Sequence, residues 1–578
     1  MRLFTLIFLF IATSSYSNSP SRAVPEAFTG LNYQKAAFGS KAMISAANPH
    51  AVNAGIAMFE RGGNAIDAAV AIQIMLTLVE PQSSGIGGGA FMLWYDAKKK
   101  ILETYDGREK APSKATPNLF IGPNGRPIKW IDAVIGGRSV GVPGVLKMLH
   151  QVHSENGALP WGTLFKPTIE LAEKGFAVSP RLAKLVAMKM NPGLAKLSPA
   201  KEYFYPNGEP IKEGQLLRNL EYAATLRTIA NNGIEAFYEG VIAKHIVTAV
   251  QNAQVAPGLL SLADLKNYES VKRAPVCIDY RASEDVFQVC SMAPPSSGGL
   301  TVLQILKLLE PFELTKHEIN SAETIHLYSQ AARLAFADRN RYLADSDFVQ
   351  VPVKALIDDA YLDRRRQLIK LTEDMGRALP GVVDEVLVAA NVSIEQPNTS
   401  HLSIVDEDGN AVSMTTSIEM GFGSTVMVDG FLLNNQLTDF SLVPEKNGLP
   451  VANRVQGSKR PRSSMTPVIV FKDGEVYAVL GSPGGSRIIN YVGYALVGLL
   501  DYGLDMQTVV NLPRVSNRNR VTTLEKTPEN QAIAKKLRAM GHKVKIAHLT
   551  SGIHGILKTP RGWQGAADPR REGTAVAF

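Results

Sequence analysis

Between residues 65 and 78 the chain reads Ala-Ile-Asp-Ala-Ala-Val-Ala-Ile-Gln-Ile-Met-Leu-Thr-Leu, apolar on nearly every helical face, which predicts a fully buried helix. Asn64 is placed to cap it, Gly62-Gly63 to close the helix before, and Asn48-Pro49 to open that one. The period then switches. Residues 91–95 and 101–105 read as a hairpin around Asp96–Lys100. Helical patterns dominate from about 144 to 380, as in 321–341 and 354–371, and the texture changes again after 400. Residues 401–406 and 411–416 alternate around Asp406-Glu407-Asp408-Gly409-Asn410, a hairpin signal. Segments 426–434, 466–471 and 476–480 add strands, and 488–500 predicts an apolar helix. A helix-rich first part and a strand-rich second part backed by helices predict a layered α+β sandwich.

Composition narrows the class. The chain has 578 residues, 45% hydrophobic and 20% charged, with mean hydropathy −0.01, which excludes disordered, collagen-like and coiled-coil chains. A net charge of +8 is mild over this length, and no basic run exceeds Lys98-Lys99-Lys100 or Arg364-Arg365-Arg366, too sparse for a nucleic-acid footprint. Met1-Arg2, the apolar run 3–12 and Thr13-Ser14-Ser15-Tyr16-Ser17 form a secretory signal pattern over residues 1–17. That run, like 488–500, is too short to span a bilayer, so the reading is an exported protein, periplasmic or secreted. None of the 10 His falls in a metal-ligand pattern, and no cofactor is implied. The two Cys flank strand-like runs 274–280 and 286–292; antiparallel pairing would set Cys277 across from Cys290 for a disulfide, the alternative being two buried thiols.

Two motifs match by spelling and fail by context. Gly85-Ile86-Gly87-Gly88-Gly89-Ala90 fits a dinucleotide fingerprint, but a helix precedes it and a strand follows. Gly137-Arg138-Ser139-Val140-Gly141 fits a nucleophile elbow, yet Pro143 interrupts the helix that must follow. Gly481-Ser482-Pro483-Gly484-Gly485-Ser486-Arg487 is better placed, between a strand and a helix. Backbone N–H groups there suit an oxyanion, and equally a tight strand-to-helix turn.

The ordered motifs from Asn398-Thr399-Ser400-His401 through Asn434-Asn435-Gln436-Leu437-Thr438-Asp439, Arg460-Pro461-Arg462-Ser463-Ser464 and Gly481–Arg487 closely resemble the γ-glutamyltransferase family. Gly62–Ala69, Glu80-Pro81-Gln82, Arg108, Pro294–Gly299 and Asp568-Pro569-Arg570-Arg571 match it too. The family belongs to the N-terminal-nucleophile hydrolases, so the resemblance implies an αββα four-layer fold. It implies a precursor that cuts itself between Asn398 and Thr399, giving a large subunit, 18–398, and a small subunit, 399–578, held as a heterodimer.

By that resemblance Thr399, once N-terminal, uses its own α-amine as base and attacks the γ-amide of glutathione or another γ-glutamyl compound. The acyl group then passes to water or to an amino-acid or peptide acceptor. Ser417 stands where the family usually has a Thr that orients the nucleophile. Gly484 and Gly485 serve the oxyanion. Arg108, Ser463 and Ser464 hold the α-carboxylate. Glu419, Gln436 and Asp439 form the pocket for the α-ammonium, with Glu419 replacing Asn and Gln436 replacing Glu of better-known members. The swaps cancel in charge. The segment between Ser441 and Lys459 is shorter than a long lid, which implies a more open acceptor side. The rivals are a cephalosporin or glutaryl acylase on the same fold and an inactive scaffold.

Overall fold

Strands buried on both faces need a helix layer or a second sheet on each side, and the central strands of this chain are of that kind. A computed structural model describes residues 28–383, 388–389 and 398–578. The expected signal peptide, 1–17, lies outside them. Fourteen strands build two seven-stranded sheets. In chain order they are β1 (Ala37–Gly39), β2 (Met43–Ala46), β3 (Gly89–Asp96), β4 (Ile101–Gly107), β5 (Val271–Arg273), β6 (Val276–Ala282) and β7 (Asp285–Ser291). After them come β8 (Ser400–Val405), β9 (Ala411–Ser417), β10 (Val468–Lys472), β11 (Glu475–Gly481), β12 (His554–Thr559), β13 (Gly562–Ala567) and β14 (Thr574–Ala577). One sheet runs β1-β13-β12-β11-β10-β7-β6 and the other β14-β2-β8-β9-β3-β4-β5.

Period-two alternation along β3 sorts its side chains between two cores. Ala90, Met92 and Trp94 join one, with helices α1 (Pro49–Phe59) and α2 (Ala65–Val79). Phe91, Leu93 and Tyr95 join the other, between the sheets. That second core continues through the β10–β11 pair into α3 (Gly298–Leu309), α4 (Ala322–Tyr342) and α5 (Ile488–Leu500). The layers therefore run helix, sheet, sheet, helix, the expected αββα sandwich. α2 is buried at every residue, and Asn64 and Asp67 close its N-terminus as a capping box.

Local departures have local causes. The predicted strand 426–434 breaks into Met427–Val428 and Phe431–Leu432, because Asp429 and Gly430 turn at φ 46° and 81°. The predicted helix 354–371 splits into Val353–Leu356 and Asp359–Arg366, since the Asp358 carboxylate caps the second piece by accepting from the Tyr361 N–H. The β6–β7 hairpin turns at Ser283-Glu284, tighter than the five-residue turn predicted, and pairs Cys277 with Cys290 at a Cα separation of 4.1 Å, where they form a disulfide. No helix among the described residues is long and apolar enough to cross a membrane.

Candidate active site

β8 starts one residue after Thr399 and β9 ends at Ser417, and their antiparallel register sets Ser400 opposite Thr416. The pairing brings Thr399 Oγ1 to 3.5 Å from Ser417 Oγ. Ser417 Oγ donates to the Asn398 carbonyl at 3.0 Å and accepts the Glu419 N–H at 2.8 Å. Gly88 is needed beside it: a Cβ there would stand 2.2 Å from the Ser417 carbonyl oxygen. So the rejected dinucleotide motif is a close backbone approach. Ser139, in the rejected elbow, is buried and donates to the Val134 carbonyl at 2.6 Å. His401 offers no base to Thr399. Its ring bonds Thr415 Oγ1 and Ser403 Oγ, and burial pushes its pKa well below the ordinary value.

The Gly-rich segment leaves β11 and enters α5 through a single turn, Gly485–Arg487. Gly484 (φ 138°) and Gly485 (φ 56°) hold left-handed backbone, and a Cβ on Gly484 would meet the Tyr491 ring at 2.7 Å. A small pocket lies between this turn and Thr399. Thr399, Ser417, Gly485, Arg108, Glu419, Gln436, Asp439, Ser463 and Ser464 line it; Gly484, the neighbour of Gly485 in the chain, is not among the lining residues. Met465 and Ile488 complete the lining, two apolar residues to which the sequence reading gave no role.

The far wall is charged and tightly cross-linked. Arg108 donates to Asp439 Oδ2 at 2.6 Å and to the carbonyls of Pro461 and Arg462 at 3.1 and 3.0 Å. Asp439 also accepts from Gln436 Nε2 at 2.7 Å, and Asn435 reaches Glu419 at 3.3 Å. Asn453 ties the lid segment to this wall, donating to the Asp439 carbonyl and accepting the Arg462 N–H. Behind Arg108 sits Glu109, fully buried, its carboxylate 3.5 Å from the guanidinium. Burial pushes that carboxyl up to about 8, with Arg108 pulling the other way. Glu109 was invisible in sequence beyond its adjacency to Arg108. Among the described residues no group of three or more His, Cys, Asp and Glu is placed to hold a metal.

The Gamma-glutamyltranspeptidase family model matches residues 51–578. The chain belongs to that family. It is 37% identical to a glutathione hydrolase proenzyme of Bacillus subtilis over 99% of this chain and 97% of that one. Its fold is similar to the crystal structure of cephalosporin acylase from Bacillus halodurans, with TM-score 0.82 and 28% identity over 96% of this chain and 99% of that chain. A Helicobacter pylori gamma-glutamyltranspeptidase structure matches with TM-score 0.53 and 33% identity, over 60% of this chain and 94% of that chain. The proteins it is similar to thus carry names of both glutathione hydrolase and acylase, and the pocket itself has to distinguish the two chemistries.

Proposed function

We propose that the protein is an exported, self-cleaving γ-glutamyl hydrolase and transferase acting on glutathione or related γ-glutamyl compounds. The observation that carries this is the Arg108–Asp439 pair on the pocket wall, 2.6 Å apart and both buried. A guanidinium beside a carboxylate is the complement of a zwitterion. The substrate's α-carboxylate takes Arg108 and its α-ammonium takes Asp439, so one ion pair becomes two. Gln436 holds Asp439 in place, and Glu419 adds a second carboxylate to the same wall.

Cleavage starts from the precursor geometry. Ser417 polarises the Asn398 carbonyl; Thr399 Oγ1 attacks its carbon, the C–N bond breaks, and the hydroxyl proton goes to the freed amine. Water hydrolyses the resulting ester, ending one chain at Asn398 and starting the other at Thr399, while the strand pairing between 18–398 and 399–578 keeps them together. The new α-amine, with a reference pKa near ~8, then serves as the base. In turnover Thr399 Oγ1 attacks the γ-carbonyl carbon, its proton passes through the α-amine to the leaving amine, and the Gly484-Gly485 turn receives the oxyanion. Water or an amino-acid or peptide amine resolves the acyl-enzyme, with the short lid leaving the acceptor side open.

The test is direct. Purified protein gives two bands on a denaturing gel, the smaller beginning Thr-Ser-His-Leu, and turns over a γ-glutamyl anilide. One uncut, folded, inactive chain contradicts the proposal and leaves a scaffold. The acylase reading has the Bacillus halodurans likeness in its favour. A glutaryl group, however, would satisfy Arg108 and bring no cation to Asp439.

A further inference from the structure

Arg339 lies near the C-terminal end of α4, 3% exposed, on a helix that contributes no residue to the pocket lining. Its guanidinium nevertheless reaches the pocket's serine pair from behind. Nη2 donates to Ser464 Oγ at 2.6 Å, and Nε donates to Ser297 Oγ at 2.9 Å. Ser297 passes the contact on, since its hydroxyl and its N–H both donate to the Ser463 carbonyl, at 2.6 and 2.7 Å. On the opposite side Arg108 holds the carbonyls of Pro461 and Arg462. The segment 461–464 is therefore gripped between two buried guanidinia.

We propose that Arg339 is a positioning residue for substrate recognition, fixing the Ser464 hydroxyl as a hydrogen-bond donor toward an α-carboxylate and, through Ser297, the main chain of Ser463 beside it. The inference rests on the γ-glutamyl reading above. Its physical content is polarity. A hydroxyl that accepts from a guanidinium has its single proton left to donate with, and a carboxylate only accepts. A cationic donor on the hydroxyl oxygen also polarises the O–H, strengthening the bond it makes on the other side. The carboxylate subsite then draws on two arginines, Arg108 directly and Arg339 through Ser464. Lysine cannot replace Arg339 here: a single ammonium lacks the planar fork that spans Ser297 and Ser464 together.

The test is a double-mutant cycle on the cut, purified enzyme with a γ-glutamyl anilide, using wild type, Arg339→Lys, Ser464→Ala and the double variant. Wild-type turnover establishes the parent reading; its absence overturns that reading and this inference with it. Given turnover, Arg339→Lys is expected to raise KM about tenfold or more with kcat within about threefold. The double variant is expected to exceed Ser464→Ala by no more than the smaller factor of Ser297→Ala, because only that branch of Arg339 is left to lose. Ser297→Ala, which cuts only the second branch, gives a smaller KM rise and serves as the readout if Arg339→Lys does not fold or cut itself. Multiplying effects in the cycle, or a loss confined to kcat, overturn the role of Arg339 and leave the parent reading standing; with Ser297→Ala as the readout, an unchanged KM overturns it.

Discussion

On one wall of the pocket, Thr399 and Ser417 are placed by the β8–β9 register, and the Gly484-Gly485 turn by backbone conformations that favour glycine. On the other, Arg108, Asp439, Gln436 and Glu419 come from distant segments and are placed by one another, with Arg108 and Asp439 331 residues apart in sequence. The first wall is neutral and set by main chain. The second is ionic, buried and already paired. On the proposed mechanism the difference teaches where each kind of change acts: changes to the main-chain wall act on whether bonds break, and changes to the ionic wall on which molecule is held.

The strongest break of the first wall is Thr399→Ala. On the proposed mechanism it removes both nucleophile and cleavage, so a gel is expected to show one uncut band and γ-glutamyl turnover to fall by about 10⁴-fold or more. Ser417→Ala keeps the nucleophile and loses the donor 3.0 Å from the Asn398 carbonyl. Cleavage followed over time on gels is expected to slow by about 10²-fold, the scale of one lost donor at a developing oxyanion.

Breaking the second wall gives a different signature. Arg108→Gln takes the guanidinium from Asp439 and Glu109 together and is expected to raise KM about 100-fold, with cleavage still visible on the gel. Glu109→Gln has the smallest effect, on stability. The Glu109 carboxyl is raised from 4.5 to about 8, so the folded chain keeps a proton that the unfolded chain releases. Its contribution therefore falls as pH rises from 4.5 toward 8. Denaturant titrations across that window are expected to show Glu109→Gln gaining on wild type as pH rises. An unchanged difference would mean that Arg108 keeps Glu109 ionised throughout.

The main-chain wall was the legible one. Periodicity predicted the β8–β9 hairpin and α5, and the motifs at Asn398-Thr399 and Gly481–Arg487 sit where those elements meet. Misreadings fell at turns: Asp429-Gly430 and Asp358 override the apolar runs around them through local φ and a side-chain cap. The ionic wall was legible as a set of residues and not as a network. That Arg108 bonds Asp439, that Glu109 stands buried behind it, and that Arg339 reaches Ser464 all depend on long-range folding that no local pattern encodes.

The central claim is that the Arg108–Asp439 wall reads a zwitterion, and the ratio of kcat/KM for a γ-glutamyl anilide over a glutaryl anilide tests it, in wild type and in Asp439→Asn. The predicted result is a wild-type preference for the γ-glutamyl compound of about 100-fold, collapsing at least about tenfold in Asp439→Asn. A wild type that prefers the glutaryl compound, or a preference untouched by Asp439→Asn, would contradict it.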